Sequence, residues 1–145
     1  MRTVWSALLA KAERTLRDAR LKLAEVNRRR ENSLLQEEKV SALLLDYIQQ
    51  VHVVQQRDHN ATEVNNYRHF IVQLQELKNR AKYEQQRIDI ECQLARQVLV
   101  SAERERVKVS HLADRAVEKR QADSLSRETR SIDAQAIQQH NFRAR

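Results

Sequence analysis

The chain has 145 residues and contains neither glycine nor proline. Tight turns commonly contain these two residues, because glycine readily adopts a positive φ and proline has a fixed φ. Their absence leaves room for few reversals of direction, whereas the abundant Ala, Leu, Glu, Gln, Lys and Arg are strong helix formers. The sequence therefore predicts long helices with almost no loops. A chain of that kind has no thick core, so its apolar residues must form a seam between helices or with a partner.

A heptad pattern of apolar residues begins near the N-terminus. Seven positions alternate spacings of four and three residues: Trp5, Leu9, Ala12, Leu16, Ala19, Leu23 and Val26. This alternation is typical of a coiled-coil seam. The pattern then lapses, because Arg30 falls on the seam. We interpret the later apolar residues as a return out of phase, which would mark a stutter in the packing: Leu34, Leu44, Ile48 and Val51.

Short polar residues cluster at 57–62. Within this segment Asn60, with Glu63 three residues later, has the spacing of an N-cap and its reciprocal acidic residue. The sequence therefore predicts one turn at about 57–62, between a first helix over about 3–56 and a second over about 61–140.

The second helix carries a longer heptad pattern. Sixteen positions, thirteen of them apolar, continue the four-three alternation: Val64, Tyr67, Ile71, Leu74, Lys78, Ala81, Gln85, Ile88, Cys92, Ala95, Leu99, Ala102, Arg106, Val109, Ala113 and Ala116. A shifted apolar set follows with Leu125, Ile132 and Ala136. We predict an all-α fold, a long antiparallel two-helix coiled-coil hairpin formed by residues 1–145 as one domain. Because the second helix is longer, its C-terminal part should overhang.

Charge is concentrated toward the chain ends. The net charge is +7, and residues 1–40 carry 10 basic and 6 acidic side chains, residues 41–102 carry 7 of each, and residues 103–145 carry 10 and 7. An antiparallel hairpin would bring both basic ends together, which suits a protein that joins two different partners. The sequence has no run of 18 apolar residues and no apolar stretch of a signal peptide at its start, so we expect a cytoplasmic protein.

The sequence motifs typical of catalytic, phosphate-binding and metal-binding sites are missing, and the residues that could form them are scattered. Without glycine there is no phosphate-binding loop, and none of the five histidines lies three or four residues from another. Cys92 falls on the seam, where a small buried side chain is expected rather than a nucleophile. Arg28, Arg29 and Arg30 form an isolated basic run among interleaved acids. We therefore expect no catalytic, metal or cofactor site, no enzyme and no specific nucleic-acid partner.

Two sequence stretches resemble a known family. Leu45-Asp46-Tyr47, followed by Asn66-Tyr67-Arg68-His69-Phe70-Ile71-Val72-Gln73-Leu74, is similar to the LxxY … NYxxFIxxLxxA pattern of the FliJ family. These are the soluble stalk proteins of the bacterial flagellar type III export apparatus. Arg127, Glu128 and Asp133 resemble the family's charged C-terminal signature. The chain departs from the pattern where Val51 replaces an aromatic residue and Ala134 an acidic one.

The resemblance implies a non-enzymatic coupling protein without a cofactor. Its expected partners are a hexameric export ATPase, the cytoplasmic ring of the export gate and export chaperones, with peripheral association at the inner membrane through the apparatus. The family's gate-binding face corresponds here to Tyr67, Phe70, Leu74 and Leu77, and its ATPase contact to Arg127, Arg130 and Asp133. Two alternatives remain: a stalk protein of a virulence injectisome, and a generic coiled-coil structural or adaptor protein.

Overall fold

The computed structural model describes residues 3–57 and 61–144. It consists of two long α-helices, α1 at Val4–Gln56 and α2 at Ala61–Arg143, which pack against each other. Within the described residues the backbone has no positive φ and no cis peptide bond, as expected where nothing interrupts the helical ladder. The prediction of an all-α chain with two long helices is confirmed.

Thr3 caps the start of α1. The backbone N–H of Ser6 donates to Thr3 Oγ1 at 3.1 Å, and the Ser6 hydroxyl donates to the Thr3 carbonyl oxygen at 2.9 Å. The first contact satisfies an N–H that has no partner inside the helix. At the start of α2, Glu63 places an acidic side chain in the first turn, where the helix dipole favours it. The predicted cap at Asn60 and the centre of the predicted turn lie outside the described residues.

The structure divides into two compact units. One contains Asp18–Leu99, and the other contains the described parts of Met1–Arg17 and Val100–Arg145. In the Asp18–Leu99 unit the best-buried cluster consists of Val26, Ile88 and Cys92. Its remaining buried apolar residues are Ala19, Leu44, Val51, Val54, Val64, Leu74 and Ala95. This is a thin core, since it is one seam wide.

The heptad of α2 predicts burial correctly. All sixteen of its positions, from Val64 to Ala116, are buried or half-buried. Three of them are polar and half-buried: Lys78, Gln85 and Arg106. Long side chains of this type can bury their apolar stems while the polar ends reach water.

The predicted change of phase in α1 is wrong. Beyond Val26 the less exposed positions keep the original four-three alternation through to the end of the helix: Arg30, Ser33, Glu37, Val40, Leu44, Tyr47, Val51 and Val54. Leu44 and Val51 thus belong to the first phase, and Ile48 is exposed. The helical geometry never shifts. The apolar pattern lapses because Arg30, Ser33 and Glu37 occupy three successive seam positions.

In the other unit, the buried residues are Ala12, Leu16, Ala102 and Val109. After Ala116 nothing in the described chain is buried, and every residue from 117 to 144 is exposed. We call residues 117–144 the exposed C-terminal stretch. It includes the apolar set predicted beyond the main heptad, so Leu125 and Ile132 have no core to join within this unit. Neither helix has, within residues 3–57 and 61–144, an apolar window that could cross a lipid bilayer.

Candidate functional site

Three aromatic rings meet in the Asp18–Leu99 unit. The ring of Tyr47, from α1, lies with its centroid 4.8 Å from that of Phe70 and 5.9 Å from that of Tyr67, both from α2. The interplanar angles are 39° and 52°, so both pairs are tilted, an arrangement that favours aromatic contact. Tyr47 and Tyr67 occupy heptad positions of their helices, and this is why they meet.

These rings line a shallow groove of about 280 Å³, together with Glu63 and Asn66. Glu63, Asn66, Tyr67 and Phe70 lie at spacings of three, four and seven residues and therefore share one face of α2. We call this feature the aromatic groove. Its walls present aromatic faces, one amide and one carboxylate, and Glu63 makes no ion pair with any residue of 3–57 or 61–144.

The four residues expected to bind the export gate differ in exposure. Phe70 is 41% exposed and Leu77 is 48% exposed, whereas Tyr67 is half-buried and Leu74 is 3% exposed. Phe70 and Leu77 are separated by one heptad, so they stand in one row beside the seam. Leu74 belongs to the core. A partner that binds this face without opening the helix pair can reach Phe70, Leu77 and the edge of Tyr67.

The candidate list from the sequence omitted Tyr47, Glu63 and Asn66 as groove residues. Tyr47 could have been found had the heptad of α1 been continued through its polar positions, since Leu44, Tyr47 and Val51 keep the four-three spacing. Glu63 lies one heptad before Phe70, so the row that contains Phe70 and Leu77 also points to it.

Arg127, Arg130 and Asp133 all lie on the exposed C-terminal stretch. None of the three has an ion pair or a side-chain hydrogen bond within the described parts of the chain. The helix backbone alone positions them, one turn apart. Their charges are therefore available to a partner.

Polar contacts between the helices surround the buried cluster of Val26, Ile88 and Cys92. Arg29 Nη2 donates to Glu91 Oε2 at 2.8 Å, and Arg30 Nε lies 2.9 Å from Asp89 Oδ1. Cys92 is buried, and its Sγ lies 3.5 Å from Asn27 Oδ1, within reach of a weak S–H hydrogen bond. The expected burial of Cys92 on the seam is confirmed. No group of three metal-ligating side chains occurs in the residues that the structure describes.

The chain is similar to a known protein family. No curated protein and no solved structure shows significant similarity to the chain. A family model described as "Flagellar FliJ protein" matches residues 5–145, which is almost the full length. The match includes both the aromatic groove and the exposed C-terminal stretch, and it shows that the chain belongs to the FliJ family.

Proposed function

We propose that this chain is a non-enzymatic stalk and coupling component of the flagellar type III export apparatus. Membership of the FliJ family implies a component of that apparatus, and the family is a structural export component rather than a known enzyme family. The match is to the flagellar family, so the injectisome and generic adaptor alternatives are not favoured. The proposal goes further and assigns two contacts, one with the export gate and one with the export ATPase.

The export-gate contact is assigned to the aromatic groove and the row beside it. The observation that carries this assignment is the exposure of Phe70, which is 41% exposed although its ring packs on Tyr47. A large aromatic ring that packs against its own chain on one side and is exposed to solvent on the other has the features of an interface anchor. Leu77 lies one heptad after Phe70 in the same row and is also exposed to solvent. Leu74 contributes by supporting the core beneath this surface.

The ATPase contact is assigned to Arg127, Arg130 and Asp133. They belong to a stretch of 28 residues, 117–144, in which no side chain is buried. A helix without packing is marginal in water, so a partner that covers it would stabilise it. We propose that the inner surface of a hexameric export ATPase is that partner.

We further propose that the helices of the Asp18–Leu99 unit form an antiparallel coiled coil. Cross-helix contacts support this packing, because residue numbers rise along α1 as they fall along α2: Asn27 with Cys92, Arg30 with Asp89, and Tyr47 with Tyr67 and Phe70. In the cell the protein would act in the cytoplasm, reach the inner membrane peripherally through the apparatus, and engage export chaperones.

The experiment that tests the gate assignment compares Phe70→Ala with Tyr83→Ala for binding to the purified cytoplasmic ring of the export gate. Tyr83 is an exposed aromatic residue of α2 that does not line the groove, so it controls for general loss of aromatic surface. We expect Phe70→Ala to lower the affinity at least tenfold, the loss of a typical interface anchor. Equal affinities for the two variants would contradict the assignment.

A further inference from the structure

We propose that the aromatic groove receives a cationic side chain, best supplied by an arginine of the protein partner that docks on it. This inference rests on the proposed function only in naming the export-gate ring as that partner. The rings of Tyr47, Tyr67 and Phe70 and the carboxylate of Glu63 line one shallow groove of about 280 Å³. Aromatic faces and a carboxylate both attract a cation, and a planar guanidinium can stack on the rings while it donates to the carboxylate.

The charged residues within the two helix segments that form most of the groove are acidic. Asp46 is the single charged residue of segment 40–56 when histidines are neutral, and Glu63 is the single one of segment 61–67. These two segments supply all of the groove residues except Phe70. In a chain with a net charge of +7, the helix segments that form the groove are thus acidic. This local reversal of sign favours a basic partner.

The nearby basic residues do not occupy the groove. Arg57 and Arg68 flank the two segments, but neither lines the cavity, and Arg57 has a contact of its own. Asp46 accepts a hydrogen bond from Gln50 Nε2 at 3.4 Å and makes no ion pair among the described residues. Among residues 3–57 and 61–144, no basic side chain therefore pairs with either carboxylate, and a cation from a partner could do so.

The groove volume of about 280 Å³ fits one side chain rather than a whole helix. Tyr47 and Tyr67 are half-buried and Phe70 is partly exposed. The groove is therefore lined by rings that the packing of the two helices holds in place. The alternative occupant of such a groove is a neutral apolar side chain, for which the carboxylate of Glu63 would be a disadvantage because it would lose water without gaining a partner.

The test uses the full-length protein and two small probes, N-acetyl-arginine amide and N-acetyl-citrulline amide. Citrulline has the shape of arginine without its charge. The readout is the NMR shift of the ring signals of Tyr47, Tyr67 and Phe70, with the exposed rings of Tyr83 and Phe142 as internal controls. We expect the arginine probe to shift the three groove rings more than the control rings, and the citrulline probe to shift neither set strongly.

Two matched variants complete the test. Glu63→Gln should weaken the arginine response of the groove rings by about two- to fivefold, the size of one solvent-exposed charge contact. Glu76→Gln, an exposed acidic residue of α2 that does not line the groove, should leave the response unchanged. A citrulline response equal to the arginine response, or an unchanged response in Glu63→Gln, would overturn the inference.

Its failure can be told apart from failure of the proposed function. If Phe70→Ala impairs binding of the gate ring while the arginine probe fails to shift the groove rings, the cation inference is wrong and the gate assignment stands. If the arginine probe behaves as expected but Phe70→Ala binds the gate ring normally, the inference holds and the partner is another basic protein.

Discussion

Arg30 Nε lies 2.9 Å from Asp89 Oδ1, and both atoms are sealed from solvent. Neither atom has a hydrogen-bond partner in the described parts of the chain, so the contact between them is an ion pair only. Arg30 occupies a heptad position of α1 next to the buried cluster of Val26, Ile88 and Cys92. The polar residue that interrupts the apolar pattern is thus paired by charge with Asp89 of the other helix, without a hydrogen bond.

The first prediction concerns this pair. Asp89→Ala leaves Arg30 Nε buried without a counter-charge, so the free energy of unfolding should fall by about 1–3 kcal/mol. The lower part of that range is expected, since both side chains are about two-fifths exposed. Urea denaturation followed by circular dichroism measures the change. As a control, Glu84→Ala removes the more exposed 3.7 Å contact with Arg87 and should cost less than about 0.5 kcal/mol. Equal losses for the two variants would show that the Arg30–Asp89 contact contributes no more to the free energy of unfolding than the exposed Glu84–Arg87 contact.

The second prediction compares two isoleucines of α2. Ile88 is 4% exposed and Ile90 is 58% exposed, so the two positions differ in burial and little else. Ile88→Ala should lower the free energy of unfolding by roughly 2–5 kcal/mol, because it removes buried surface and leaves a cavity. Ile90→Ala should change it by less than about 0.5 kcal/mol. Thermal melting of both variants measures the two losses of stability. A larger loss in Ile90→Ala than in Ile88→Ala would contradict the assignment of the buried face of α2.

The third prediction separates two leucines that the family resemblance assigns to gate binding. Leu74 is 3% exposed and Leu77 is 48% exposed. Leu74→Ala should destabilise the protein by about 2–5 kcal/mol, and its binding of the gate ring should recover at low temperature where the helices remain folded. Leu77→Ala should keep the stability and lose affinity. Melting curves and binding isotherms, measured on the same samples, test both statements; the opposite assignment of effects would refute them.

The fourth prediction concerns the exposed C-terminal stretch. Because residues 117–144 bury no side chain in the described structure, removal of residues 124–145 should change the melting temperature of the remaining chain by no more than about 2 °C. The same truncation should abolish stimulation of the export ATPase. Salt should weaken the intact complex, since exposed charges are screened over about 8 Å at physiological ionic strength. Full stimulation by the truncated protein would remove this stretch from the mechanism.

The sequence predicted α2 better than α1, and the reason lies in particular residues. Thirteen apolar residues among sixteen heptad positions define the buried face of α2. In α1 three polar residues fall in succession on the seam, and a pattern based on hydrophobicity cannot distinguish a polar seam position from a change of phase. The contact between Arg30 and Asp89 joins residues 59 positions apart in the chain, so it follows from the packing of the two helices and not from either helix alone.

The aromatic groove was only partly predictable. Phe70 was identified from the family pattern, and its exposure makes it suitable for a partner. The contact between Tyr47 and Phe70 depends on the register between the helices. Without that register, the sequence could not reveal that Tyr47 and Glu63 share a groove. The charged residues of the C-terminal stretch were identified from the resemblance, because an exposed helix offers no packing signal.

The central claim is that one chain joins the export ATPase to the export gate. Mass photometry of a mixture of the full-length protein, the ATPase hexamer and the gate ring tests it most directly. We expect a particle whose mass includes all three components, which loses the gate ring in Phe70→Ala and loses the ATPase when residues 124–145 are removed. Binary complexes alone, with the ATPase and the gate ring competing for the chain, would contradict it.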